Sequence, residues 1–190
     1  MVLVALTGGV LYTEAAPQGN GMKTFTAEFF VVPGSGPGGG GTAPDGATSS
    51  ASIDFEQVNI TEVTFQFSFT DNYRFATVSP AGATFRVTSP QGMVGESTLS
   101  PGQTTATSIT IRDVTGVPDS LEFSAAAQAE AAKVAHTRYP ANENGTGTWT
   151  IDITVTRDYM TQVHPTGSIA WTATSRLETY TLELSEKLSG

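Results

Sequence analysis

The chain has 190 residues, 18 acidic against 9 basic side chains, a net charge of −9 and no cysteine. The length fits one domain, or one domain with an appendage, and the charge argues against nucleic acid or an anionic membrane surface as the partner. Without cysteine there are no disulfides and no thiolate-held zinc or iron–sulfur site.

Thr and Ser make about a quarter of the sequence, while charged residues are 14%, below the usual ~25%. The surface is therefore polar mainly through hydroxyls. Threonine favours strands, and 20 Gly with 10 Pro favour turns, so the composition predicts a β-domain.

Residues 1–13, MVLVALTGGVLYT, carry no charged side chain. As a helix they would be about 20 Å long, short of the ~20 apolar residues needed to span a membrane. Three readings stand side by side for residues 1–15. They are the remnant of a membrane anchor, a signal-peptide core, or a hydrophobic strand donated to the chain's own sheet or to another subunit. Residues 16–22 read as a linker, and the remainder, 23–190, as one sandwich domain.

Lys23 to Val32 is a strand with Phe25, Ala27 and Phe29 on one face. The run 33–50, PGSGPGGGGTAPDGATSS, is expected to be a flexible Gly-rich surface loop. No Lys-Ser/Thr and helix follow it, so it does not have the form of a phosphate-binding loop. From Ser52 onward apolar residues recur with period two. Ile53 and Phe55 begin one strand, and Val63, Phe65, Phe67 and Phe69 form the clearest one. Ala83 to Thr88 is another, closed by the turn signature Ser89-Pro90-Gln91-Gly92-Met93. Thr104 to Asp113 and Ser120 to Ser124 follow. Ser124 to Tyr139, SAAAQAEAAKVAHTRY, is alanine-rich and predicts one helix of about three turns, capped by Ser124 and ended by Pro140. It would lie against a sheet or cover one end of a sandwich. Thr148 to Thr156, Ser168 to Thr174 and Leu177 to Leu184 close the chain as strands; the last alternates less cleanly than the others. The sum is a mainly β fold, an antiparallel two-sheet sandwich of about seven to nine strands with one short Ala-rich helix.

Two stretches carry a resemblance. ITEVTFQFSFTDN leading into FRVTSPQGM (Ile60 to Met93) and GTWTIDITV followed by TGSIAW (Gly147 to Trp171) are similar to the P domain that follows subtilisin-like proprotein convertases. That resemblance implies a jelly-roll β-sandwich with a non-catalytic role. The interval from Asn72 to Thr84 lacks the His and the Asp-Leu pair usual in that family. The acidic, Thr-rich, Lys-poor style also resembles that of membrane-anchored archaeal surface proteins.

Candidate chemistry is sparse. His136 and His164 are the only histidines, with no HExxH spacing, and no GxSxG elbow occurs. Asp71, Asp113, Glu143 and Asp158 all fall near predicted strand ends, where hard oxygen ligands from loops can gather a Ca²⁺; they are the metal candidates. No other cofactor is indicated. Tyr73 and Tyr159 fall in loops and are the candidates for ligand contact, whereas Trp149 and Trp171 sit among aliphatics and read as core. Asn59-Ile60-Thr61 and Asn144-Gly145-Thr146 have the form of N-glycosylation sites.

The expected protein is a non-enzymatic, extracytoplasmic sandwich at a cell surface. It would be tethered to a membrane or assembled into a filament through its N-terminal segment, and its partners would be other proteins or itself, not nucleic acid. A carbohydrate- or protein-binding accessory module, Ca²⁺-dependent or not, is the alternative.

Overall fold

Period-two alternation of large apolar residues with Thr and Ser gives strands that bury one face and solvate the other. The computed structural model of the chain describes residues 4–5, 21–71, 81–101, 107–157 and 167–187. Within them the elements are β1 (Val4–Ala5), β2 (Lys23–Ser35), β3 (Gly39–Pro44), β4 (Thr48–Phe55), β5 (Ile60–Asp71) and β6 (Gly82–Thr88). There follow β7 (Val94–Leu99), β8 (Thr107–Arg112), β9 (Leu121–Ala125), α1 (Gln128–Arg138), β10 (Gly147–Thr156) and β11 (Ser168–Glu186).

One sheet runs β8-β5-β11-β2-β9, with β1 and β3 also paired to β11; the other runs β4-β10-β6-β7. All pairs are antiparallel. β2 and β3 follow one another along the same edge of β11, with Val31 opposite Tyr180 and Gly39 opposite Ala173. Counted as one strand, they make eight with β4 to β8, β10 and β11. First then pairs with last, second with seventh, third with sixth, and fourth with fifth. That is a long hairpin rolled up on itself, the double Greek key of a jelly roll. β9 and α1 are an insertion between the sixth and seventh strands.

The main core lies between the sheets. Phe55, Phe65, Phe67, Phe85 and Trp149 are fully buried there, with Phe67 and Phe85 stacked at 4.7 Å and Phe65 5.7 Å from Trp149 between ring centroids. Trp149 donates its indole N–H to the Gly145 carbonyl at 2.8 Å, which satisfies the polar atom that its burial would otherwise strand. Ser89-Pro90-Gln91-Gly92 is the β6–β7 turn, as its sequence predicts; the Ser89 hydroxyl accepts from the Met93 N–H, and Gly92 sits at φ 84°.

β11 is a single strand of 19 residues where the sequence reads as two. Its register shifts between Glu178 and Thr179. Buried positions are odd-numbered from Ile169 to Leu177 and even-numbered from Tyr180 to Leu184. The bulge re-phases the alternation and keeps the apolar side facing inward along the whole strand. This is the cause of the irregular pattern in LETYTLEL. Beyond the bulge β11 outruns the second sheet, and α1 takes that sheet's place. Ala132 and Ala135 pack on Ala27, Leu182 and Leu184, and Ala131 on Phe25 and Ala125.

The helix starts later than its composition suggests. Ser124 lies in β9, the N-cap is Ala127 without a side-chain cap, and Glu130 instead reaches back to the Ala126 N–H at 2.9 Å. Edge pairing of β9 with Lys23–Ala27 of β2 claims Ser124 before the helix can.

The run 33–50 is not a loop throughout. β3 and the start of β4 occupy much of it, and β3 pairs with Ser168–Ala173 of β11. Glycine is needed here for closeness rather than flexibility: a Cβ on Gly40 would stand 2.7 Å from the Trp171 carbonyl oxygen. We expect Gly40→Ala to destabilise the fold by roughly 1–3 kcal/mol, because backbone must move to admit it. Gly21→Ala, which meets nothing within 4 Å, should stay within about 0.5 kcal/mol of the parent. Urea unfolding of the two variants checks both values.

Candidate functional site

Two ends of the sandwich differ in kind. At the end where β11 begins, the turn Pro44-Asp45-Gly46-Ala47 carries the chain from one sheet to the other, with Gly46 at φ 70°. Asp45 points inward and meets Arg157, which follows β10. The Arg157 side chain is 1% exposed and Asp45 4%; Asp71, ending β5, is 26% exposed. Arg157 donates Nε to Asp45 at 2.8 Å, and both terminal nitrogens to Asp71, at 3.0 and 2.7 Å. Asp71 also accepts the Ala81 N–H at 3.1 Å. Burial on its own lowers the Arg157 pKa, but the hydrogen bonds and charges of Asp71 and Asp45 outweigh it and hold the guanidinium above its ordinary value. One planar fork thus ties three chain segments together. It is a structural clamp.

The other end is open. Where β11 passes the bulge, two adjoining hollows of about 440 and 490 Å³ share Tyr139, Ala141 and Tyr180. Tyr139 follows α1 and Tyr180 sits on β11; Phe29 of β2 stands edge-on to both, at 4.8 and 5.6 Å between ring centroids. Burial raises the Tyr180 pKa above its ordinary value. Asn59 forms the rim. At φ 60° it occupies the left-handed region that asparagine tolerates. Its side chain accepts the Asn142 N–H at 2.7 Å, and its carbonyl accepts the Tyr180 N–H at 3.1 Å. Glu56, His136, Arg138, Asn142 and Glu143 add polar groups around the aromatic floor. Such a lining suits contact with a chain segment or a polar ligand.

The four metal candidates do not meet as a set. Asp71 belongs to the clamp, while Asp113, at φ 57° after β8, and Glu143, on the groove wall, lie at the opposite end. Asp158 lies outside the described residues, as do Tyr73, Tyr159 and His164. Among the described residues no three His, Asp or Glu side chains come together as a metal-holding group. Of the two glycosylation-type sequences, Asn59 is engaged in the rim, whereas Asn144 is exposed. Sequence reasoning passed over Arg157 and placed Asp45 in a flexible loop. The Asp45-Gly46 dipeptide, a hairpin signal, was the available clue.

No family model and no curated protein sequence matches the chain. Among solved structures, one similarity is to the Gt strain of infectious bursal disease virus, at 12% identity and a TM-score of 0.30, covering 95% of this chain and 43% of that one. Another is to Desmodium yellow mottle tymovirus, at 7% identity and a TM-score of 0.25, covering 95% of this chain and 98% of that one. The chain thus spans less than half the length of the first. Neither score carries an argument, and the jelly roll stands on the strand pairing itself. The sandwich that the P-domain resemblance implies is present; membership of that family rests on no match.

Removing Arg157 would leave two carboxylates facing each other at the clamp. Arg157→Leu should cost about 3–5 kcal/mol of stability, and Arg157→Lys should recover only part of it, since an ammonium cannot hold both carboxylates in a planar fork. Denaturant midpoints at constant slope read both effects.

Proposed function

We propose that the protein is a non-catalytic structural subunit that works by binding protein, further copies of itself included, through the open parts of its sheets. The jelly roll serves capsids, lectins and cupins alike, so the reading rests on the surface and not on the fold. The observation that carries it is on β2. Phe30, Val31 and Val32 are consecutive and 45%, 46% and 42% exposed, and β9 pairs with β2 only over Lys23–Ala27. A strand that leaves both apolar side chains and part of its edge uncovered is a ready template for another chain.

An extracytoplasmic place, at a cell surface, belongs to the same proposal. It is supported by the hydroxyl-rich, charge-poor composition and the uncharged first thirteen residues. Among the described residues no helix is long and apolar enough to cross a membrane, and the uncharged N-terminal segment is the tether this proposal names.

A second reading has its own observation. The aromatic floor of Phe29, Tyr139 and Tyr180, ringed by amides and carboxylates, also suits an accessory module that holds a carbohydrate or peptide.

Light scattering and negative-stain microscopy of the full chain decide between them. Defined oligomers or ordered arrays that dissolve in Phe30→Lys/Val32→Lys support the structural subunit. A monomer at every concentration tested removes it and leaves the accessory module. Labelling of intact producing cells with a membrane-impermeant amine reagent tests location; reaction of Lys23, Lys133 and Lys187 only after lysis would remove the surface assignment.

A further inference from the structure

Among the described residues the edge of β11 beyond the bulge has only a partial partner. β5 pairs with β11 as far as Thr179, opposite Ile60, and Asn59 accepts the Tyr180 N–H. Past that point the chain turns away through Val58 and Gln57, which line the larger hollow. In a strand, alternate residues direct their N–H and C=O to the same edge. Since Tyr180 faces β5, Leu182, Leu184 and Glu186 face the edge that β5 has left. Among the described residues only β1 lies there, with Val4 opposite Leu184 and Ala5 opposite Glu183.

Val4 is thus paired with Leu184, a residue buried on the α1 side. Leu182, the next residue to face the same edge, lines the groove with Phe29, Tyr139 and Tyr180. An acceptor edge and an apolar slot for alternate side chains are the two parts of β-strand addition. The first thirteen residues, uncharged and mostly apolar, have the composition of the strand that would fill both.

We infer that this edge and groove receive the N-terminal segment of a second copy of the chain. The inference rests on the structural-subunit reading and names its contact. Topology favours exchange over closure within one chain. β1 and β2 are both antiparallel to β11 and so parallel to each other, on opposite edges. Closure within the chain requires the link from β1 to β2 to reverse direction and pass from one edge of β11 to the other. The inner face is filled by α1, and the outer face presents Glu28 and Glu183 side by side, where a connection whose one charged side chain is Glu14 gains nothing. A donor from a neighbouring copy needs no crossover. Residues 6–22, extended, reach about 56 Å. The donated strand meets the same edge and the same side chains as in the closed form, the condition under which strand exchange costs little.

The lack of native cysteine makes the test clean. Ala5 and Glu183 are opposite one another, and by the alternation above they form a non-hydrogen-bonded pair, whose ~4.5 Å Cα separation admits a disulfide. Full-length Ala5→Cys and Glu183→Cys chains are mixed and oxidised with oxidised glutathione. The expected result is a disulfide-linked heterodimer at twice the 19.8 kDa chain mass on a non-reducing gel, and little product when Ser185→Cys replaces Glu183→Cys. If the double variant Ala5→Cys/Glu183→Cys closes only within single chains and the mixture yields no heterodimer, exchange is overturned. Absence of any cross-link overturns docking at this edge altogether. Val4→Pro, which removes a ladder donor without touching the sandwich, gives an independent reading: amide protection at Leu182, Leu184 and Glu186 should fall and oligomers should dissociate. Oligomers of the parent chain that survive without cross-link or protection would leave the subunit reading standing and this contact refuted.

Discussion

Register along one strand governs the rest of the molecule. β11 pairs with β2 and β3 along one edge and with β5 and β1 along the other, so its register fixes the positions of four other strands. A slip of one residue would turn Ile169, Trp171, Ala173 and Leu177 out of the core at once. The strand is also longer than the sheet that covers it. A straight strand under strict alternation would have to keep one phase beneath two different covers. The bulge after Glu178 frees it from that constraint. One phase serves the sandwich core, the other serves the helix-covered extension, and both keep apolar groups inward.

The two ends that this strand connects are built from opposite chemistry. At its start, a buried arginine holds two carboxylates. The desolvation that such a group suffers offsets much of its attraction, so the clamp is better understood as fixing which segments meet than as a large source of stability. At its far end the described residues form no such lock. Alanines of α1 lie flat on the sheet, an aromatic trio lines a hollow, and the edge of β11 is only partly paired. Among the described residues the buried ion pairs lie where the sheets close, and the partly paired edge lies where the helix replaces the second sheet. That asymmetry is why we place the proposed contact with another chain at the helix end.

Much of the fold is legible in the sequence because the alternation is local. Val63, Phe65 and Phe67, or Trp149, Ile151 and Ile153, declare an inward face without reference to anything else, and the structure buries all six. The Ser89–Gly92 turn declares itself through proline and glycine. What escaped was set by partners distant in sequence. β3 looks like a loop because glycine has no side chain to pattern; its strand form comes from lying on the backbone of β11 more than a hundred residues away. β7 has weak alternation, with Val94 exposed and Gly95 in close contact with Ile109. The helix lost its first turn to an edge pairing with β2. The clamp was hidden because Arg157 and Asp45 are 112 residues apart; the Asp45-Gly46 dipeptide marks a turn but not the arginine it would meet.

The class of structure is written in the order of residues. Periods of two, threonines and turns dictate strands with one buried face, and the charge and lack of cysteine restrict the chemistry those strands can carry. Folding settled the rest. It settled which glycine run becomes a strand, where β11 changes phase, and which arginine is buried. It also left an edge beside a groove at the helix end. Local pattern specifies what each segment can be, because side-chain alternation is a property of neighbours in the chain. Register, burial of charge and open edges are properties of segments that meet only after folding.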